Sequence, residues 1–169
     1  VMTPLFVVYL AEYALQSGVW SAIGFPTRSK SARERFYEYA NWCYQLGVFV
    51  SRSSGTLCTP SVRALWLLPL AQLALLALFA ADALARVWYD ASLLAPCVVV
   101  GLLGGAVYVH GFKLVALEAP PARRELAMAC ACIAADLGLM AGSAAAVVLQ
   151  ACIYQANDLD DATIRVGFC

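Results

Sequence analysis

The sequence predicts an all-α polytopic membrane protein with about five transmembrane helices. Composition is the first reason: 63% of the 169 residues are hydrophobic and 13% charged, with a mean hydropathy of +0.75, which is unlike a water-soluble domain. Distribution is the second. Apolar stretches close to the roughly 20 residues that a bilayer core requires are separated by short polar connections. Eleven Lys and Arg balance eleven Asp and Glu, mostly between the apolar runs. This excludes a basic nucleic-acid domain, an acidic-tail protein and a disordered segment.

The first span runs from residue 3 to residue 25. It contains Glu12, which a membrane helix can carry if it faces protein or a water-filled cavity. Tyr9, Glu12, Tyr13, Gln16 and Trp20 recur at three- and four-residue steps and so share a helix face. A carboxylate flanked by tyrosine hydroxyls and an amide can bind a cationic group or carry a proton. A protonated or hydrogen-bonded packing residue is the alternative. The second span, 36–51, is the weakest, because its apolar part is short and interrupted by Asn41 and Gln45; it either crosses or lies re-entrant or interfacial. Asn41, Gln45 and Arg52 fall on one side of it with Tyr44 adjacent, and Arg52 either snorkels to headgroups or pairs with an acid or a substrate anion.

The third span, 62–86, contains Pro69, which should kink it, and ends with Asp82 and Arg86, spaced for a structural i,i+4 ion pair. The fourth, 92–112, carries GLLGGAVYVHGF, in which Gly101 and Gly105 form a small-xxx-small pair and Gly104, Tyr108 and Gly111 extend a packing groove. His110 there either titrates in an acidic compartment or is a polar residue near the interface. The fifth, 126–153, has a second such pair in Gly138 and Gly142. It also has Asp136, expected to be buried and ranked after Glu12 as a coupling group. Residues 154–169 form an acidic tail, expected to be solvated. Alternating spans put six basic residues on one side and five on the other, which leaves the orientation open.

Of the seven cysteines, Cys43, Cys97, Cys130, Cys132 and Cys152 sit among apolar residues and read as small hydrophobes; Cys58 is in a polar stretch and Cys169 is last. Neither a disulfide framework nor a zinc site follows. The opening VMTPLFVVYLAEY lacks signal-peptide features, and its abrupt start reads as that of a fragment. Phosphate-binding, serine-hydrolase and zincin motifs are absent, so no enzyme activity, metal or cofactor is expected. Five spans amount to about half of a carrier built from two similar halves.

Four collinear segments carry a resemblance. They are VVYLAEYALQSG (Val7–Gly18), YQLGVFVSRSS (Tyr44–Ser54), GLLGGAVYVHGF (Gly101–Phe112) and ALEAPPARRELAMACACIAADLGL (Ala116–Leu139). Together they resemble the C-terminal half of the battenin family, the lysosomal and vacuolar membrane proteins of juvenile Batten disease. The resemblance implies an architecture similar to the C-terminal half of a major facilitator-type transporter. It places the acid of A-E-Y on Glu12, the arginine of S-R-S-S on Arg52, the glycines of G-L-L-G-G on Gly101, Gly104 and Gly105, and the acid of A-L-E on Glu118. Arg124 and Glu125 take the basic-acidic pair before A-M-A. Two positions depart: Asp136 stands one residue beyond the acid of I-S-D-x-x-G, a rotation of about 100° on a helix, and His110 replaces the usual Asn.

The expected function is movement of a small organic solute, a basic amino acid or a glycerophosphodiester, with proton linkage and support of lumenal pH. The expected partners are the lipid bilayer, that solute, protons and the N-terminal half of the same protein, with no nucleic acid. Glu12 would be the coupling or binding acid, Tyr9, Tyr13 and Gln16 its lining, Arg52 a charge partner and Asp136 a second candidate, while the glycines would be packing surfaces. The alternative is a non-transporting scaffold that regulates vacuolar pH, autophagy and vesicle traffic.

Overall fold

A computed structural model describes residues 1–56, 61–161, 164, 166, 167 and 169. Cys58 and Arg165 lie outside the described residues. Five helices follow one another: α1 (Met2–Tyr13), α2 (Lys30–Ser53), α3 (Val62–Ala85), α4 (Leu94–Glu118) and α5 (Arg124–Ala156). No strand occurs among the described residues. The protein is therefore an all-helical polytopic membrane protein. Among the described residues, three segments are long and apolar enough to cross a bilayer: Val62–Ala85, Ala91–Glu118 and Pro121–Ala156.

The helix limits follow from local chemistry. Ser29 caps α2 by accepting from Ala32 N–H, so the helix starts well before residue 36 and takes in the charged turns around Arg33. Ser61 caps α3 in the same way through Ala64 N–H, and α3 then runs through Pro69. Asp90 caps the turn ahead of α4 by accepting from the Ser92 hydroxyl and backbone N–H, and these two bonds hold its carboxyl below the usual range. α5 ends at Ala156, three residues beyond the expected limit.

α1 does not end cleanly. It continues as a π turn (Ala14–Val19) and a 3-10 turn (Trp20–Ala22), a widening and then a tightening of the same helical path. The face read from the sequence is divided: Glu12, Gln16 and Trp20 are buried, whereas Tyr9 and Tyr13 are half-buried at the margin.

The helices alternate in direction, with α1, α3 and α5 running one way and α2 and α4 the other, as the residue pairs in contact require. Leu5 and Val8 cluster with Leu65, Val107 and Ala131, whereas Leu15 to Trp20 cluster with Ala40, Phe79, Cys97 and Ile153. α2 lies along α4 and α1 along α5. At the first crossing a Cβ on Gly47 would stand 2.2 Å from Val98 O, and one on Gly101 would stand 2.0 Å from Tyr44 O. At the second, Cβ atoms on Gly138 and Gly142 would stand 2.3 and 2.5 Å from Phe6 O and Leu10 O. Backbone meets backbone at both places, as expected of helix contacts driven by packing.

The connections at one end of the bundle are tied together. Tyr89 Oη accepts from Thr27 N–H at 2.8 Å, and Arg86 donates from Nε to Asn157 Oδ1 at 3.1 Å. The expected Asp82–Arg86 ion pair is corrected by these contacts. Arg86 takes a left-handed backbone conformation (φ 55°) that ends α3, so its side chain leaves the i,i+4 row and reaches Asn157, while Asp82 accepts from Trp88 N–H at 2.7 Å. The acids of the tail, Asp158, Asp160 and Asp161, are exposed as expected, but the tail is also tied to the bundle. Asn157 is buried, Leu159 packs on the core and Asp161 pairs with Arg33. Cys152 is joined to Cys169 rather than packing as a free thiol, and Cys132 is exposed.

Gly101→Ala should lower stability by about 1–3 kcal/mol, because the new methyl meets a carbonyl rather than a movable side chain. Gly167→Ala, with nothing within 4 Å of the added carbon, should be neutral. Thermal unfolding midpoints of the two variants in one detergent check this, and equal midpoints would contradict the close crossing.

Candidate functional site

Glu12 lies at the level where the interior divides. The apolar cluster containing Leu5 and Val8 stops below it on α1, and the cluster containing Leu15 to Trp20 begins above it. The same division falls on α3, where Leu65, Gln72 and Phe79 form one stripe at seven-residue steps: Leu65 belongs to the first cluster, Phe79 to the second, and buried Gln72 stands between. On α4 the dividing residues are Gly101, Gly104 and Gly105. A polar layer thus crosses the bundle between two apolar ones.

Within this layer Glu12 is 1% exposed. Its Oε1 accepts a hydrogen bond from the hydroxyl of Tyr44 on α2. Its carboxylate rests against Gly104 of α4, where a Cβ would lie 2.5 Å from Oε2, so any larger residue there would displace the acid from this position. Oε2 has no hydrogen-bond partner, nor have Gln16 Nε2, Trp20 Nε1 or either amide atom of Gln72. Each such buried group costs about 1–3 kcal/mol, a cost that packing alone does not explain.

Arg52 is exposed at the far end of α2. Its Nη2 donates to Tyr9 Oη at 3.4 Å, and its guanidinium lies 4.5 Å from the centroid of the Tyr108 ring. It meets the aromatic edge of the α1 face rather than the Glu12 carboxylate directly. Tyr13 stands between Glu12 and Asp136, within electrostatic reach of both. Asp136 itself is exposed, which corrects its expected burial: Gly138 and Gly142 aim the opposite side of α5 at α1 and turn Asp136 outward. His110 Nδ1 accepts from Ser61 N–H at 3.3 Å, tying α4 to the start of α3.

The structure therefore brings Glu12, Tyr44, Gln16 and Gly104 together, with Gln72 at the same level. Tyr9, Tyr13 and Arg52 form the open margin of that group, with Asp136 beyond Tyr13. Gly105 is packed against Ser51, so it serves the α2–α4 crossing with Gly101. Sequence spacing puts Tyr44 beside Arg52 and does not reveal it as the partner of Glu12. Gln72 carries a signal of its own, an amide in the middle of the apolar run ALWLLPLAQLALL, and the structure buries it at the same level without a hydrogen bond. Among the described residues no group of three His, Cys, Asp or Glu is placed to hold a metal ion.

An alternating bundle of apolar helices with a buried carboxyl group between two apolar clusters defines a class: polytopic membrane proteins with a buried acid. The particular family follows from comparison. The CLN3 protein family model matches residues 1–156, and the chain belongs to this family, that of battenin. Canine (Canis lupus familiaris) battenin is 38% identical over 143 residues, which cover 82% of this chain and 31% of that protein. Protein btn-1 of Neurospora crassa is 32% identical over 154 residues, 88% of this chain and 32% of that protein. Protein BTN1 of Yarrowia lipolytica is 32% identical over 163 residues, 93% of this chain and 40% of that protein. The chain thus spans about a third of the length of the curated relatives it matches. No solved structure matches it. Family membership supports a lysosomal or vacuolar membrane protein.

A double-mutant cycle between Tyr44→Phe and Glu12→Leu, which removes the acceptor, should show a coupling of about 1–2 kcal/mol in unfolding free energy, the net worth of a buried hydrogen bond to an acid. Effects that add to within about 0.5 kcal/mol would place the two groups out of contact.

Proposed function

We propose that this chain is the C-terminal part of a secondary transporter of the lysosomal or vacuolar membrane, moving a small organic solute by alternating access and supporting lumenal pH. The observation that carries the reading is the Glu12 carboxyl group, held at mid-bundle by Tyr44 and Gly104 with one oxygen uncommitted. A structural acid would be expected to have all its lone pairs satisfied, whereas one oxygen left open suits a proton or a cationic substrate group. Tyr9 and Tyr13 line the approach, Arg52 sets the charge at its entrance, and Asp136 is a second acid facing away from this bundle. Family membership supports the location. The solute class, a basic amino acid or a glycerophosphodiester, rests on the family resemblance, as does the pairing of this bundle with an N-terminal half.

Close glycine crossings at α2–α4 and α1–α5 favour two rigid helix pairs that move as units past each other. Glu12 belongs to one pair and its Tyr44 and Gly104 partners to the other, so such a movement would make and break the carboxyl contacts.

Uptake into proteoliposomes containing the full-length protein tests the proposal. With arginine and a glycerophosphodiester as separate labelled substrates and an imposed pH gradient, one should accumulate. Glu12→Gln should cut the gradient-driven rate at least tenfold while leaving the unfolding midpoint within a few degrees. Uptake of a substrate unaffected by Glu12→Gln would remove the acid from the mechanism.

A further inference from the structure

At the end of the bundle opposite Arg52 lies a second polar site, separate from the Glu12 layer. Arg33, in the first turns of α2, is only 3% exposed although it is a cation. Its Nη1 donates to Thr27 O at 2.5 Å, and its Nη2 contacts both carboxylate oxygens of Asp161 at 2.7 and 2.5 Å. The guanidinium carbon lies 5.3 Å from the centroid of the Tyr154 ring. Its Nε is buried and has no partner. A guanidinium withdrawn this far from water is held only when an anion faces it, and the planar fork suits carboxylate and phosphate alike.

The anion comes from an unusual source. Asp161 is 35% exposed and lies five residues beyond the end of α5, outside any helix or strand. Beside the ion pair is a cavity of about 320 Å³, within the range of small-molecule sites. Besides Arg33 and Asp161 its walls include Lys30, Glu34, Tyr37, Ser21 and Gln150, so each cation in it faces a carboxylate of the protein itself. Lys30 adds a second cation. It stands 3.9 Å from Glu34, with both side chains largely exposed, a pairing weak enough to yield to a stronger anion. Gln150 Nε2 donates to the Ser21 hydroxyl at 2.9 Å, and Tyr154 Oη donates to Ser21 O at 2.9 Å, so the floor of the cavity is fixed by bonds between α5 and the end of the α1 path.

We propose that this cavity is an oxyanion-binding site for the carboxylate or phosphate group of a small solute, and that Asp161 is its tethered occupant. The buried guanidinium reads the oxyanion, Lys30 adds charge, and Tyr37 supplies an aromatic wall for the rest of the ligand. A tethered carboxylate competes at an effective concentration in the millimolar range. A free anion therefore enters when it exceeds that level or when the tail lets go, and its entry releases the segment from Asn157 to Asp161.

Equilibrium binding to the full-length protein in nanodiscs tests this independently of transport and of Glu12. The probes are inorganic phosphate and succinate, each titrated at constant ionic strength set with chloride. Asp161→Asn should bind at least one of them tenfold or more tightly than the unmodified protein, and Asp161→Asn combined with Arg33→Gln should lose that gain. The stronger probe identifies the group the site prefers. A second measurement covers the case in which Asp161→Asn does not fold: in the unmodified protein, excess of the stronger-binding probe should speed hydrogen exchange at residues 157–161 relative to chloride. The inference is overturned if Asp161→Asn binds neither probe more tightly than the unmodified protein, or if neither probe changes exchange at those residues.

Discussion

The burial of one carboxyl group, that of Glu12, organises much of this bundle. An acid at the middle of an apolar assembly needs a donor, space and a reason for its second oxygen to stay open. Tyr44 supplies the donor from α2, and Gly104 supplies the space on α4. For both to reach α1, helices α2 and α4 must themselves lie in close contact, which Gly47 and Gly101 permit. On the other flank, Gly138 and Gly142 let α5 approach α1 equally closely. The glycines are thus not a generic property of membrane helices here; they set the spacing around the acid.

The polar layer also explains the split interior. Continuous apolar packing from end to end would leave no level for Glu12, Gln16 and Gln72, so the core forms two clusters with this layer between them. The π turn that follows Tyr13 has a role in the same arrangement. Gln16 lies within it and Trp20 directly follows it, and both are directed inward. Single π turns recur at functional sites for this reason: they redirect side chains without ending the helix.

Much of the fold was legible in the sequence because it rests on local signals. Long apolar runs marked α3, α4 and α5, and small-xxx-small spacing marked the glycines that stand at the crossings. Glu12 stood out as an acid in an apolar run. What was not legible depends on contacts between distant segments. Nothing near Arg33 announces Asp161, 128 residues away, and nothing near Tyr44 announces Glu12. Asp82 and Arg86 had the right spacing for a pair, but helix termination at a left-handed residue overrides spacing. Asp136 looked buried because its helix is apolar, yet periodicity alone does not say which side of an apolar helix meets protein.

In the proposed carrier the margin of α1 carrying Tyr9 and Tyr13 is a hydrated approach to Glu12, while the exposed aromatic side of α2 faces lipid. Cysteine accessibility measures this directly. In full-length protein with its free cysteines replaced, Tyr9→Cys and Tyr13→Cys should react with a charged, membrane-impermeant thiol reagent. Trp42→Cys and Phe49→Cys, on exposed positions of α2, should react only with a lipid-soluble one. Protection of positions 9 and 13 from the charged reagent, on a par with 42 and 49, would contradict a hydrated approach to Glu12.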